Sequence, residues 1–262
     1  MSFNRGERTL TSYATLTQWN AQTIADRVRD DGIVVLDRFF SGEKLDHLNR
    51  EFRDLYAAIG QPGVRTHSRT SHMHALDVTP DKLNRNAFPA LATIADDPVL
   101  KCAAEIFFGK PIIYPHKLFA TWLRGTEKPV PQLPNIPHTD RFQMFKYMVY
   151  LHDVSEDGGA MAVAPGRHKE LAERRVAWIR SGKPYQERPN VLGDMDDALK
   201  PVEASAGSVL VFDTDMPHRA GHVHLGKERH TLRIDVVCPV YAGTAGKLGW
   251  LDRLFPKREV AD

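Results

Sequence analysis

His138, Asp140 and His218 are the residues of this sequence whose types and spacing best suit chemistry. In an extended chain residues i and i+2 project to one side, so His138 and Asp140, separated only by Thr139, can reach a single ion. His218, from a distant part of the chain, supplies a third ligand. Two imidazoles and one carboxylate with the other positions open suit non-haem Fe(II), because the vacant positions admit a co-substrate and O2. Zinc favours three or four protein ligands, often thiolates, and neither Cys102 nor Cys238 lies near this set in sequence. Arg229 follows His218 by 11 residues and leads into the strand-like run Thr231 to Val237. A guanidinium fixed there can clamp a carboxylate in the two-pronged way a dicarboxylic co-substrate requires.

A His-x-Asp triplet is a weak signal in a chain with 12 histidines, so the rival sets matter. Ser71-His72-Met73-His74 and Gly221-His222-Val223-His224 repeat the spacing but have no carboxylate at the matching position. His47 falls on the polar face of a helix, and His152 and His168 flank a Gly158-Gly159 turn as structural or surface residues. His222, His224 and His230 follow the His218 segment without a matching acid. Arg233, four residues beyond Arg229, is expected to pair with Asp235 or another carboxylate.

These groups need a scaffold. The periodic stretch from Leu16 to Asp31 reads as a surface helix stopped by Gly32, and Ile33-Val34-Val35-Leu36 as a buried strand. Ser41 is the expected N-cap of an amphipathic helix carrying Leu45, Leu48, Phe52, Leu55, Tyr56 and Ile59. Residues 61–86 are polar and lack periodicity, and read as a long irregular loop. Asp97-Pro98 opens another helix that Gly109 ends. From Pro111 the character changes. Ile112 to Tyr114, Lys117 to Leu123, Phe145 to Leu151, Ala160 to Ala164, Ser208 to Phe212 and Thr231 to Val240 are strand-like, interrupted by a helix near His168 to Arg180 and a Pro/Asp-rich loop from Gly182 to Pro201. The strand ending at Phe212 is expected to give way to a turn that exposes the His218 imidazole.

Composition bounds the partners. The chain has 35 Lys+Arg against 33 Asp+Glu, and a net charge of +2 is too small for an electrostatic reader of nucleic acid or anionic membrane. No apolar run approaches the ~20 residues that span a bilayer, and the first residues show no secretory signal. Two cysteines make no disulfide framework, so a cytoplasmic location with reduced thiols is expected. The 262 residues read as one domain: a helical part to about residue 110, a β core from about 111 to 241, and a tail over 242–262 that includes Leu248 to Phe255 and could cover the site. Monomer and homodimer both remain open.

Taken together, the residues resemble the phytanoyl-CoA dioxygenase family of Fe(II)/2-oxoglutarate-dependent oxygenases. The likeness runs through Asp31-Gly32-Ile33-Val34-Val35-Leu36, Pro137-His138-Thr139-Asp140, Asp157-Gly158-Gly159 to His168-Lys169, the segment around His218, and Arg229. It implies an α+β chain with a mainly β core, a double-stranded β-helix or jelly roll flanked by helices. It also implies His138, Asp140 and His218 as iron ligands, Arg229 on the distal carboxylate of 2-oxoglutarate, and Lys117, Thr121 or His116 as a second co-substrate contact. The family pattern leaves substrate contacts unspecified; Arg141, Phe142, Tyr147 and Arg69, with the rest of the Arg65 to His74 stretch, are chosen by position alone. Arg65, Arg69, Arg141 and Lys117 could also receive an anionic group. Related halogenases have a small residue in place of the metal-binding carboxylate, so Asp140 implies hydroxylation or another oxidation of an unactivated C–H. Succinate and CO2 would be released. The length leaves little room for a CoA-binding annex, and a free small molecule is expected as substrate, an amino-acid derivative or natural-product intermediate. A jelly-roll metal-binding protein without oxygenase activity, and a zinc hydrolase using metal-bound water, are the alternatives.

Overall fold

Strands buried on both faces explain the continuous apolar runs of the sequence. The computed structural model describes residues 13–109, 112–140, 143–181 and 189–237. Three strands show the pattern: β2 (Ile33–Leu36), β6 (Met144–Tyr150) and β9 (Val209–Asp213), every residue of which is buried. Val34, Leu36, Phe145, Tyr147, Val149, Val209 and Val211 join a core packed beneath helices. Their neighbours Ile33, Val35, Met148, Tyr150, Leu210 and Phe212 join a second core between two sheets. With both faces covered, the strands show no polar alternation.

The helical layer consists of α1 (Ala21–Asp31), α2 (Gly42–Ala57), α3 (Pro89–Ala95) and α4 (Pro98–Phe108). The Asn20 side chain caps α1 by accepting from Thr23 N at 2.9 Å, and Gly32 ends it at φ +84 in the left-handed region that favours glycine. Asp97 caps α4 in the same way, accepting from Val99 N and Leu100 N, ahead of Pro98 at the first helical position. Ser41 stands at the N-cap position of α2, but its side chain makes no capping bond. α3 has no side-chain N-cap of its own. Glu51, buried on α2, supplies it instead, accepting from Ala90 N at 2.9 Å and Leu91 N at 2.8 Å. Replacing Glu51 with alanine leaves both amides without that partner and is expected to destabilise the protein by about 2–4 kcal/mol, read as a lower urea midpoint; an unchanged midpoint would contradict this account of the α2–α3 contact.

Among the described residues one sheet has eight strands in the order β1-β2-β9-β6-β11-β5-β4-β3. Its remaining members are β1 (Ala14–Leu16), β3 (Val64–Arg69), β4 (Met73–Val78), β5 (Ile113–Arg124) and β11 (Glu228–Val237). The facing sheet is small, β10-β7-β8, built from β7 (Ala162–Val163), β8 (Lys200–Pro201) and β10 (His218–Arg219). This is the double-stranded β-helix, with α5 (His168–Arg180) packed outside it. Gly207, at φ +78, locks the start of β9 to the turn after β2: Phe40 N donates to its carbonyl at 3.0 Å, and a Cβ there would lie 1.7 Å from Phe40 O.

The structure corrects two readings of the N-terminal part. Residues 61–86 are not an irregular loop, because β3 and β4 form an antiparallel hairpin that extends the large sheet. The stretch read as mainly helical up to about residue 110 contributes β1, β3 and β4 besides the expected strand β2, two strands at each end of that sheet. No helix among the described residues is long and apolar enough to cross a membrane.

Candidate active site

One backbone bridge brings the two histidines together across 80 residues of sequence. His138 N donates to His218 O at 3.0 Å, and His218 N donates to His138 O at 2.9 Å. Asp140 is held by a third bond, its N–H donating to Thr214 O at 3.1 Å. One ligand atom from each of His138, Asp140 and His218 lies within 4.8 Å of the other two, and among the described residues this is the one such cluster of three.

Each imidazole is oriented by the same device. His138 Nδ1 lies 2.8 Å from Ile136 O, and His218 Nδ1 lies 2.8 Å from Met216 O. A carbonyl can only accept, so both Nδ1 atoms carry the proton and both Nε2 lone pairs are left bare for a metal. Burial also keeps the rings neutral. It lowers the pKa of His138, and takes His218 down to about 3, where a second proton would also have to sit beside the neighbouring His138 ring. Burial by itself would push Asp140 up, but the Lys146 ammonium and the two imidazoles together hold it well below the usual carboxylate range. The donor set is thus two neutral nitrogens and one carboxylate, the protonation states a divalent ion needs. His218 is 6% exposed, so the expectation of an exposed imidazole is not met; β10 holds it against β7.

Behind the His138, Asp140 and His218 cluster lies a buried network that carries the turn between β9 and β10. Asp215 N donates to Asp213 Oδ1 at 2.9 Å, Gln143 Nε2 donates to Asp213 Oδ2 at 2.7 Å, and Arg175 on α5 pairs with both oxygens of Asp215 at 3.0 and 2.9 Å. Thr214 Oγ1 accepts from Met144 N at 2.8 Å. Burial and the adjacent Asp215 push Asp213 up to about 7. In the folded protein Asp213 therefore keeps its proton to near neutrality, whereas the unfolded chain releases it near 4. Its contribution to stability is complete below about pH 4 and is lost as pH rises toward about 7. The buried histidines act in the opposite sense below about pH 6.5, so the term is isolated by comparison with Asp213→Asn. Wild type should lose urea resistance relative to that variant between about pH 5 and about pH 8; parallel curves would contradict the assignment.

The three candidate ligands open into a cavity of about 540 Å3, within the range of small-molecule sites. Met144, Met148, Met161 and Phe212 form much of its apolar wall, and the exposed His67 and Leu133 mark its opening. Arg229 lines the same cavity and is 4% exposed. Its guanidinium donates to Gly159 O, its Nε has no partner, and no carboxylate among the described residues pairs with it. Burial works against its charge. A buried cation lacking a counter-ion is a costly arrangement unless an anion arrives to complete it. Thr121 lines the wall opposite Thr231, its register partner.

The other sequence-chosen positions fare differently. Tyr147 is fully buried on the opposite face of β6, in the core beneath the helices, and does not reach the cavity. Arg69 is exposed on β3 and does not line it; His67 and Ser68 do. Arg65 is engaged by Asp77 at 2.7 Å. Arg233 pairs with Asp235 at 2.9 Å, as expected from their spacing, and both lie in the cavity wall. Lys117 pairs through its backbone with Asp235, and His116 lies in the same strand. Arg141 and Phe142 lie outside the described residues, as do residues 242–262, the Leu248 to Phe255 segment and Cys238. His152 is spent on the Asp153 carbonyl and the His230 amide, and His222 on Thr126. His168 is buried, with Nε2 2.9 Å from Arg29 O. Sequence reasoning missed Lys146, whose ammonium contacts Asp140 and stands 3.9 Å from Asp235. Its signal was one charge inside the apolar run Met144 to Tyr150.

Comparison with known proteins adds an independent line. The sequence profile described as phytanoyl-CoA dioxygenase (PhyH) matches residues 28–231. No curated protein sequence matches the chain. Among solved structures, the non-haem α-ketoglutarate-dependent carbocyclase SnoK from nogalamycin biosynthesis superposes with a TM-score of 0.58 at 16% identity, over 83% of this chain and 85% of its own. The epimerase SnoN, in complex with Fe3+, α-ketoglutarate and nogalamycin RO, gives 0.57 at 18% identity, over 83% of each chain. HygX from Streptomyces hygroscopicus, with nickel, 2-oxoglutarate and hygromycin B bound, gives 0.53 at 16%, over 82% of this chain and 86% of its own. Identities this low speak for a shared fold.

Proposed function

The chain belongs to the phytanoyl-CoA dioxygenase family, and from that premise we propose that it is a non-haem Fe(II)- and 2-oxoglutarate-dependent oxygenase of a small molecule. The observation that carries the reading is the pairing, in one cavity, of a neutral two-histidine, one-carboxylate cluster with a buried arginine that has no counter-ion among the described residues. His138 and His218 would hold iron through Nε2 and Asp140 through a carboxylate oxygen, leaving the other positions for co-substrate and O2. Arg229 would receive the distal carboxylate of 2-oxoglutarate, with Thr121 as a further polar contact on the same wall. When bound, the metal supplies oxidation of an unactivated C–H at the expense of O2 and 2-oxoglutarate, with succinate and CO2 as by-products.

The protein's own part is placement and exclusion. The Ile136 and Met216 carbonyls fix the imidazoles, so no reorientation is needed when the ion arrives. Met144, Met148, Met161 and Phe212 keep water from the reacting carbon while the wall holds it near the metal. A cavity of this volume takes a free small molecule, in keeping with an amino-acid derivative or natural-product intermediate. Neighbouring structures include an epimerase and a carbocyclase, which supports ring closure beside hydroxylation as an outcome at this site.

Anaerobic protein given Fe(II) and 2-oxoglutarate should develop a weak visible charge-transfer band, and admission of air should yield succinate that rises with the correct substrate. Absence of the band together with turnover supported by zinc alone would replace this reading with a zinc hydrolase. Absence of both band and turnover would leave a metal-binding protein without oxygenase activity.

A further inference from the structure

Lys146 is the one charged residue on β6, and its side chain is only 6% exposed. Its ammonium contacts Asp140 Oδ2 and lies 3.9 Å from Asp235 Oδ1. Asp235 is held from its other side by Arg233, at 2.9 Å to Oδ1 and 3.2 Å to Oδ2, and the Arg233 guanidinium lies 4.3 Å from the Phe119 ring centroid. A line of alternating charge therefore runs along the cavity wall from the cluster outward, and its formal charges cancel. Burying a lysine between two carboxylates is expensive, and well-packed apolar residues often do as well for stability alone. The geometry points to a task at Asp140.

A carboxylate can bind a metal through one oxygen or two. With His138, His218 and a single Asp140 oxygen in place, an octahedral ion retains three positions, enough for two-point chelation by 2-oxoglutarate and one for O2. A second Asp140 oxygen would take one of the three. We propose that Lys146 is a positioning residue that holds Asp140 Oδ2 away from the metal, keeping the carboxylate one-pronged and the co-substrate positions open. Asp235 and Arg233 in turn keep the ammonium where it is. This inference rests on the reading of His138, Asp140 and His218 as metal ligands.

Mn(II) serves as the probe, because water-proton relaxation counts the water molecules on the bound ion. In Lys146→Met the affinity for Mn(II) should be unchanged or tighter, since a like charge has been removed. The bound ion should carry one water fewer than in wild type before any co-substrate is added, and the dissociation constant for 2-oxoglutarate should rise at least tenfold. If the single variant does not fold, Lys146→Met with Asp235→Asn removes the carboxylate left without its ammonium and carries the same expectations. Unchanged hydration and unchanged 2-oxoglutarate affinity would overturn the proposal. So would weaker 2-oxoglutarate binding at unchanged hydration, which would make Lys146 a direct contact of the co-substrate. Loss of Mn(II) binding in a folded variant would also overturn it, by making the ammonium a condition of assembling the site. Failure of wild type itself to bind Mn(II), or to lose water from it when 2-oxoglutarate is added, would count against the ligand assignment.

Discussion

Alanine at Asp140 or at His218 should reduce 2-oxoglutarate-coupled succinate formation on the order of 10³-fold or more, because in the proposed function each supplies one of only three protein ligands. The fold should survive both changes. The reciprocal bridge between residues 138 and 218 is made by main-chain atoms, and the third anchor, from the amide of residue 140 to Thr214 O, is also main chain. Circular dichroism should therefore match wild type while Fe(II) binding is lost. Turnover retained in either variant, measured as succinate against substrate, would move the metal site elsewhere in the chain.

The second large effect is expected at Arg229. In the absence of ligands its buried guanidinium has a carbonyl for company and a bare Nε, so Arg229→Met should leave the unliganded protein at least as stable as wild type. With 2-oxoglutarate the order reverses. Losing a charge-assisted, buried contact to a carboxylate is worth roughly 2–5 kcal/mol, which places the rise in KM for 2-oxoglutarate between about 30-fold and several thousand-fold. Thermal unfolding reads both halves of the prediction. Wild type should gain stability with added 2-oxoglutarate, and the variant should gain almost none at the same concentration. A variant that is destabilised without ligand yet still stabilised by 2-oxoglutarate would assign Arg229 to packing.

That His138, Asp140, His218 and Arg229 share one cavity was legible in the sequence because the pattern is local: a His-x-Asp pair at i and i+2, a histidine after a buried strand, and an arginine opening the next. The buried strands were legible too, since runs such as Ile33 to Leu36 and Val209 to Phe212 stand out by composition. Which face each residue takes was not. A strand buried on both sides has no polar alternation to set its phase, and a shift of one residue exchanges the faces. That is why Tyr147 was chosen where Lys146 and Met148 line the cavity. The β3–β4 hairpin escaped for the opposite reason. β3 is an edge strand with most side chains in solvent, so nothing in Arg65 to Arg69 distinguishes it from a polar loop. The support that Asp213, Asp215 and Arg175 give to the His218 turn depends on contacts spanning about 40 residues and leaves no local pattern.

That hairpin divides the labour of the chain. The proposed metal ligands and the proposed carboxylate clamp all lie between residues 138 and 229, whereas His67, Ser68, Met73 and Ala75 line the same cavity from a segment more than 60 residues upstream. Among the described residues β3 has a hydrogen-bonded neighbour on one side only, so it can change length or sequence without unseating another of those strands. The part of the cavity wall that β3 supplies, His67 and Ser68, is thereby open to revision while the His138, Asp140, His218 and Arg229 constellation stays as it is.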